Sequence, residues 1–113
     1  MEQDCIFCRI IRGEIPSTKV YEDDAFLVFK DINPAAPVHL LAIPKTHVAR
    51  LSEAKPEHRD LLGNLLLTVG HVAREQELDS YRLIVNDGPG AGQTVFHLHA
   101  HILSGRELGE KLL

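Results

Sequence analysis

The chain has 113 residues, 44% of them hydrophobic, and its 16 acidic and 12 basic side chains leave a formal charge of -4. That length supports one domain with a real core, spanning residues 1–113, and excludes two. The acidic balance offers no basic field to a nucleic-acid polymer. No run approaches the roughly 18 apolar residues of a membrane span, and MEQDCIF is no secretory leader, so a cytoplasmic protein with no membrane partner is expected.

Asp4 is placed to cap a short helix over residues 5–12, with Ile6 and Ile10 on one face and Gly13 as its stop. KVYEDDAFLVFKDI reads as two strands hinged at Asp23 and Asp24, because Val20, Phe26 to Phe29 and Ile32 carry β-branched and aromatic content. After the proline-punctuated loop NPAAP comes the strand VHLLAI, in which His39 shares a face with Leu41 and Ile43, and then a break at Pro44.

From Pro56 to about Leu78, the stripe Leu61, Leu62, Leu65, Leu66, Val69 and Val72 predicts the main amphipathic helix. Gly63 and Gly70 weaken it, and close packing against the sheet would explain them. His58 and His71 are assigned no chemistry. SYRLIVN is a further strand, DGPGAGQ a glycine-rich loop and TVFHLHAHIL the last strand. Short connections between strands, which outnumber the helices, predict an α+β fold with an antiparallel sheet of about five strands.

HLHAHIL places His97, His99 and His101 at alternate positions, so in a strand the imidazoles form a row about 7 Å apart while Leu98, Ala100 and Ile102 face a core. One such histidine is most simply a polar surface residue. Three in register offer a nucleophile, proton carriers or metal ligands. The preceding loop matches neither the P-loop nor the dinucleotide fingerprint, since a strand rather than a helix follows it. On its own it reads as a hairpin connection, but it ends three residues before the histidine row, which lets its amides, Asn86 and the Thr94 hydroxyl surround an oxyanion held by those imidazoles. Cys5 and Cys8, the only cysteines, are too few for a disulfide scaffold and fit a metal site, two buried thiols or a redox pair.

NDGPGAGQTVFHLHAHILSGR resembles the signature of the histidine triad (HIT) family, and CIFCRIIRGEIPSTKVYEDDAFLVFKDINPAAPVHLLAIPKTH extends the resemblance over almost the whole chain. It is closest to the Hint branch of nucleoside phosphoramidate hydrolases, because Phe96 stands where the dinucleoside polyphosphate branch usually has proline. The resemblance implies a HIT fold with one long and one short N-terminal helix, dimerising into a continuous sheet. It implies hydrolysis at the α-phosphorus of a purine nucleotide, an AMP or GMP derivative, through a nucleotidyl-histidine intermediate.

In that assignment His99 is the nucleophile, His101 holds a phosphate oxygen, and His97 and His39 support the row. Thr94 assists the leaving group. Asn86, Gly92 and Gln93 belong to the phosphate side, Asp31 takes the ribose hydroxyls, and Ile6, Phe7, Ile10, Phe29 and Ile32 line the base slot. For those apolar residues plain core is the alternative, and for Asp31 it is a turn. Relatives with this N-terminus imply a structural zinc held by Cys5, Cys8, His47 and His97, with no catalytic metal. Hydrolysis of dinucleoside polyphosphates, a nucleotide-binding scaffold with little turnover, and a metal-binding regulator are the other readings. The end, GRELGEKLL, lacks the Trp-Pro-Pro-Gly tail of many relatives, which bears on leaving-group preference.

Overall fold

In a computed structural model that describes residues 5–110, strands β1 (Lys19–Glu22), β2 (Phe26–Lys30), β3 (Val38–Pro44), β4 (Arg82–Ile84) and β5 (Ala100–Ser104) form one sheet in the order β1-β2-β3-β5-β4. Every neighbouring pair is antiparallel. Helix α1 (Ile6–Ile11) precedes the sheet and α2 (Arg59–Glu75) lies between β3 and β4, so the α+β expectation holds.

Both faces of the sheet are covered. Leu65, Val69 and Val72 of α2 pack on Phe26, Val28, Leu40, Ala42, Ala100 and Ile102. Phe7 and Ile10 of α1 pack on Leu27, Phe29, Leu41 and Ile43 of the other face. Burial on both sides explains why FLVF and LLAI read as continuous apolar runs instead of alternating ones.

The turn between β1 and β2 forms where expected, with Asp23 Oδ1 accepting the amides of Ala25 and Phe26, both at 2.8 Å. Helix α1 ends as its glycine predicts: Gly13 is left-handed (φ 80°), and the Glu14 amide reaches the Arg9 carbonyl at 2.9 Å. Its N-cap is Cys5, whose sulfur accepts the Cys8 amide; the expected cap Asp4 lies outside the described residues.

Five expectations need correction. The main helix stops at Glu75, because Glu77 adopts φ 57° and closes it with Leu78 N–H on the Ala73 carbonyl, a glycine-type ending made without glycine. Its start at Pro56 is a 3-10 turn, Pro56–His58. Leu66 does not join the buried stripe: Leu66 and Leu67 are 56% and 72% exposed. A Cβ at Gly63 would meet nothing within 4 Å, and one at Gly70 only the Arg74 guanidinium, so neither glycine serves packing on the sheet.

The fifth correction concerns the histidine row. The ladder begins at Ala100, so His97 and His99 precede β5 and only His101 lies in it. The chain switches partners here: the Leu98 amide bonds to the Val48 carbonyl, beyond the end of β3, at 2.6 Å. On the other edge of β5, β4 keeps only three residues of the expected SYRLIVN, Arg82–Ile84. Leu98, Ala100 and Ile102 are buried as expected, but so are His97 and His99, which excludes a surface-histidine strand.

Candidate functional site

β3 and β5 bring the histidines together. His101 lies directly across the ladder from Leu41, and residues facing each other in an antiparallel pair project to the same side, so His101 and His39 share the α1 face. Their rings are 5.2 Å apart, with His39 Nε2 2.9 Å from His101 Nδ1. The Ala35 amide in the preceding loop points at His39 Nδ1 at 2.9 Å. A backbone N–H can only donate, so Nδ1 holds the lone pair and Nε2 the proton. His39 Nε2–H therefore donates to His101 Nδ1, leaving the His101 proton on Nε2. Asp31 Oδ2 stands 3.4 Å from His39 Nε2, and Asp31 Oδ1 accepts the Asn33 amide at 2.8 Å.

The opposite tautomer is fixed at His99. Its Nδ1 lies 2.7 Å from the His97 carbonyl, which can only accept, so Nδ1 carries the proton and Nε2 a free lone pair. The His99 and His101 rings are 5.0 Å apart, and Phe7 meets His99 edge-on at 5.1 Å. An unprotonated ring nitrogen, suited to attack an electrophile, thus neighbours a ring whose Nε2–H suits an anionic oxygen.

Burial keeps these rings neutral. It pushes His101 down to about 4, with His99 and His39 adding to the shift and Asp31 opposing it. His99 is also lowered by burial, against the opposing pull of the His97 carbonyl and Asp31. His97 falls to about 4 for the same leading reason, opposed by its bond to Pro44. Neutral imidazoles at pH 7 follow.

Cys5, Cys8, His47 and His97 converge, with one donor atom from each within 4.8 Å of the others. Cys5 Sγ is 3.3 Å and Cys8 Sγ 3.4 Å from His97 Nδ1, and Cys8 Sγ is 3.4 Å from His47 Nδ1. A tetrahedral zinc with Zn–S about 2.3 Å and Zn–N about 2.0 Å sets such donors about 3.5 Å apart, so the set fits the ion. His97 Nε2 donates to the Pro44 carbonyl at 2.7 Å, which leaves Nδ1 unprotonated as a metal ligand requires. The second grouping, Asp31, His39 and His101, lacks this support: the proton that Ala35 fixes on His39 Nε2 occupies its ligating position.

The glycine-rich stretch is no tight hairpin turn but a long connection from β4 to β5, with a 3-10 turn at Pro89–Ala91. A Cβ at Gly92 would lie 4.0 Å from Asn86 Nδ2, so these two expected phosphate-side residues adjoin. Thr94 is exposed just ahead of the histidines. Gln93, expected among the substrate contacts, is buried and fully engaged within the protein: it accepts the Gly88 amide at 2.8 Å and donates to the Ala49 and Val95 carbonyls at 2.9 and 3.0 Å. It braces the loop. Sequence reasoning missed a second brace, Arg50 Nε to Asp87 Oδ1 at 2.6 Å, because 37 positions separate its partners and Arg50 belongs to no motif.

Of the expected base slot, Phe7, Ile10 and Phe29 are buried in one cluster, while Ile6 and Ile32 are 45% and 90% exposed. The buried three pack in the cluster on the α1 face, where Phe7 also adjoins His99, and the exposed two lie open on the surface.

Comparison with known proteins places this geometry. Residues 12–108 match the HIT domain model. An uncharacterized HIT-like protein of Synechococcus elongatus is 55% identical, over 96% of each chain. A 14 kDa zinc-binding protein of Brassica juncea is 48% identical, over 93% of this chain and 96% of that one. Adenylylsulfatase HINT1 of Arabidopsis thaliana is 47% identical, over 91% and 72%. A solved HIT family hydrolase from Clostridium thermocellum superposes with TM-score 0.94 at 47% identity, covering 98% of both chains. A zinc-bound histidine triad family protein from Mycobacterium smegmatis gives 0.78 at 37%, over 100% of this chain and 82% of that one. With the family model spanning most of the chain and the triad on its own framework, the protein belongs to the HIT family.

Proposed function

We propose that the chain is a hydrolase of purine nucleoside phosphoramidates acting through His99. The observation that carries the reading is the fixed pair of tautomers: His99 Nε2 unprotonated, His101 Nε2 protonated, on adjoining rings. The relatives named adenylylsulfatase and HIT family hydrolase support the hydrolase class.

In the first step His99 Nε2 attacks the α-phosphorus, the P–Nε2 bond forms, and the P–N bond to the leaving amine breaks. The amine leaves with a proton taken from solvent through the hydroxyl of exposed Thr94. Charge gained by the imidazole is offset by the His97 carbonyl on Nδ1 and by Asp31, while His101 Nε2–H holds a phosphate oxygen. Water then attacks phosphorus, the P–Nε2 bond breaks, and one water proton returns to solvent, offsetting the one the amine took up; nucleoside monophosphate and neutral His99 are released. Asp31 accepts the ribose hydroxyls, Asn86 and the Gly92 amide bind phosphate, and Ile6 and Ile32 edge the base.

Cys5, Cys8, His47 and His97 would hold a structural zinc, tying α1 to the segment that carries the nucleophile; the zinc-binding and zinc-bound relatives support this. A homodimer with a continuous sheet completes the proposal, with β4 at the sheet edge and Leu66 and Leu67 exposed on α2 as the available surfaces. A cytoplasmic location is part of the same reading; among the described residues no helix is long and apolar enough to cross a membrane.

The test is turnover of adenosine and guanosine phosphoramidates, adenylyl sulfate, aminoacyl adenylates and diadenosine polyphosphates under identical conditions, with His99→Ala as control. Phosphoramidates are expected to be fastest. Faster cleavage of a dinucleoside polyphosphate would assign the other branch, and binding without turnover would assign a scaffold.

A further inference from the structure

We infer that His97 is a positioning residue, coupling metal occupancy of the Cys5, Cys8, His47 and His97 site to the orientation and tautomer of His99. The inference rests on the proposed nucleophilic role of His99 for its functional meaning, but not for its test.

The sheet does not hold the peptide that sets the His99 tautomer. Ladder pairing reaches back only to Ala100, opposite Ala42, so the His97 carbonyl lies outside it. What holds that carbonyl is the residue's own side chain and one neighbouring amide. The His97 ring is fully buried, with Nδ1 facing both cysteine sulfurs at 3.3 and 3.4 Å and Nε2 donating to Pro44 at 2.7 Å. The Leu98 amide bonds to the Val48 carbonyl at 2.6 Å, so the residues that follow two of the metal donors, His47 and His97, are themselves joined.

A metal ion would thus bind the 47–48 and 97–98 segments side chain to side chain where one hydrogen bond already links their backbones. The His97 carbonyl emerges from this clamp to accept His99 Nδ1–H at 2.7 Å. A second contact runs the same way. Phe7, between Cys5 and Cys8 in sequence, lies edge-on to His99 at 5.1 Å and to His97 at 6.0 Å. Losing the metal loosens both the carbonyl that fixes the His99 proton and the ring packed against its imidazole. His101 is held independently, by His39 and the Ala35 amide.

The experiment compares zinc-loaded and metal-stripped protein by long-range proton–nitrogen correlation of the imidazoles, with zinc added back stepwise. Loaded protein is expected to show His99 as a single Nδ1–H tautomer. Removal should convert His99 to averaged or mixed signals while His101 keeps its Nε2–H signature, and AMP affinity should change by less than about 3-fold while turnover falls at least about 10-fold. If the stripped protein unfolds, His47→Ala, which retains Cys5, Cys8 and His97 as a three-donor site, is followed over the same zinc titration in its folded state. A His99 signature that does not change with metal occupancy overturns the inference, as does one that changes only together with His101. A protein that never turns over substrate but shows the metal-dependent tautomer leaves the coupling intact and removes the hydrolase reading instead.

Discussion

Gly88 is where backbone geometry makes the sharpest demand on the candidate phosphate side, and replacing it with alanine is a direct test. Its φ of 96° and ψ of 161° lie in a region that only glycine occupies freely. Holding an alanine there costs about 1–3 kcal/mol. The new Cβ would also fall 3.2 Å from Arg50 Cζ, and the guanidinium cannot simply swing away because Asp87 holds its Nε. The Gly88 amide is committed to buried Gln93, so the turn cannot relax without leaving a buried acceptor unpaired. For a domain of this size, the strain alone should lower Tm by about 5–15 °C.

Gly90, two residues on in the same loop, is the control, since a Cβ there meets nothing within 4 Å and its φ lies outside the left-handed region. Gly90→Ala is expected to be neutral or to stabilise by up to about 1 kcal/mol. Urea unfolding measures both variants, and AMP titration should show weaker binding for Gly88→Ala alone. Measured against Arg50→Ala alone, which carries the loss of the Asp87 brace, adding Gly88→Ala should cost only the strain. A Gly88→Ala protein within about 0.5 kcal/mol of wild type, or a Gly90→Ala protein equally damaged, would refute the loop geometry as the cause.

Two further outcomes follow from the site. Purified protein should hold about one zinc per chain, and Cys5→Ser should lose the metal together with several kcal/mol of stability, measured by metal analysis and melting; metal-free protein of unchanged Tm contradicts the zinc assignment. His101, pushed by burial to about 4 from an ordinary 6.5, stays neutral in the fold where the unfolded chain takes up a proton. Its contribution is therefore fully present above pH 6.5 and lost as pH falls toward 4. Allowing for solvent screening of a partly exposed ring, the loss is about 1–2 kcal/mol. His101→Gln should lose that much less than wild type between pH 7 and 4.5 in urea unfolding, and equal losses would contradict the shift.

The parts of this structure that sequence made legible are those written in local pattern. Gly13 ended α1, Asp23 turned the first hairpin, and His39 fell on the Leu41 face because side-chain alternation along β3 is strict. Residues brought together by the fold were legible only through the family resemblance: no spacing rule joins Cys5 and Cys8 to His47 and His97. The row of three histidines was read as one strand because HLHAHIL alternates perfectly. Alternation reports which side a residue faces and not which partner its backbone bonds to, and at Leu98 that partner is Val48. The ending of α2 was misplaced for a similar reason, since Glu77 supplies the left-handed residue where glycine would have announced it. Gln93 stands among the ligand contacts only in the assignment that the resemblance implies. Its burial and its three internal partners are tertiary facts.

The most direct measurement of the central claim is rapid quench of the wild-type protein during turnover of an adenosine phosphoramidate labelled at the α-phosphate, followed by mapping of the label. The geometry at His99, with Nδ1 bonded to the His97 carbonyl and Nε2 free, requires a nucleotidyl adduct on that one ring. The expected result is an acid-labile, base-stable label on His99 that forms within the first turnover, is absent from His99→Ala, and accompanies a loss of turnover of several orders of magnitude with nucleoside monophosphate binding nearly retained. Label on another residue, or near-normal turnover by His99→Ala, would contradict it.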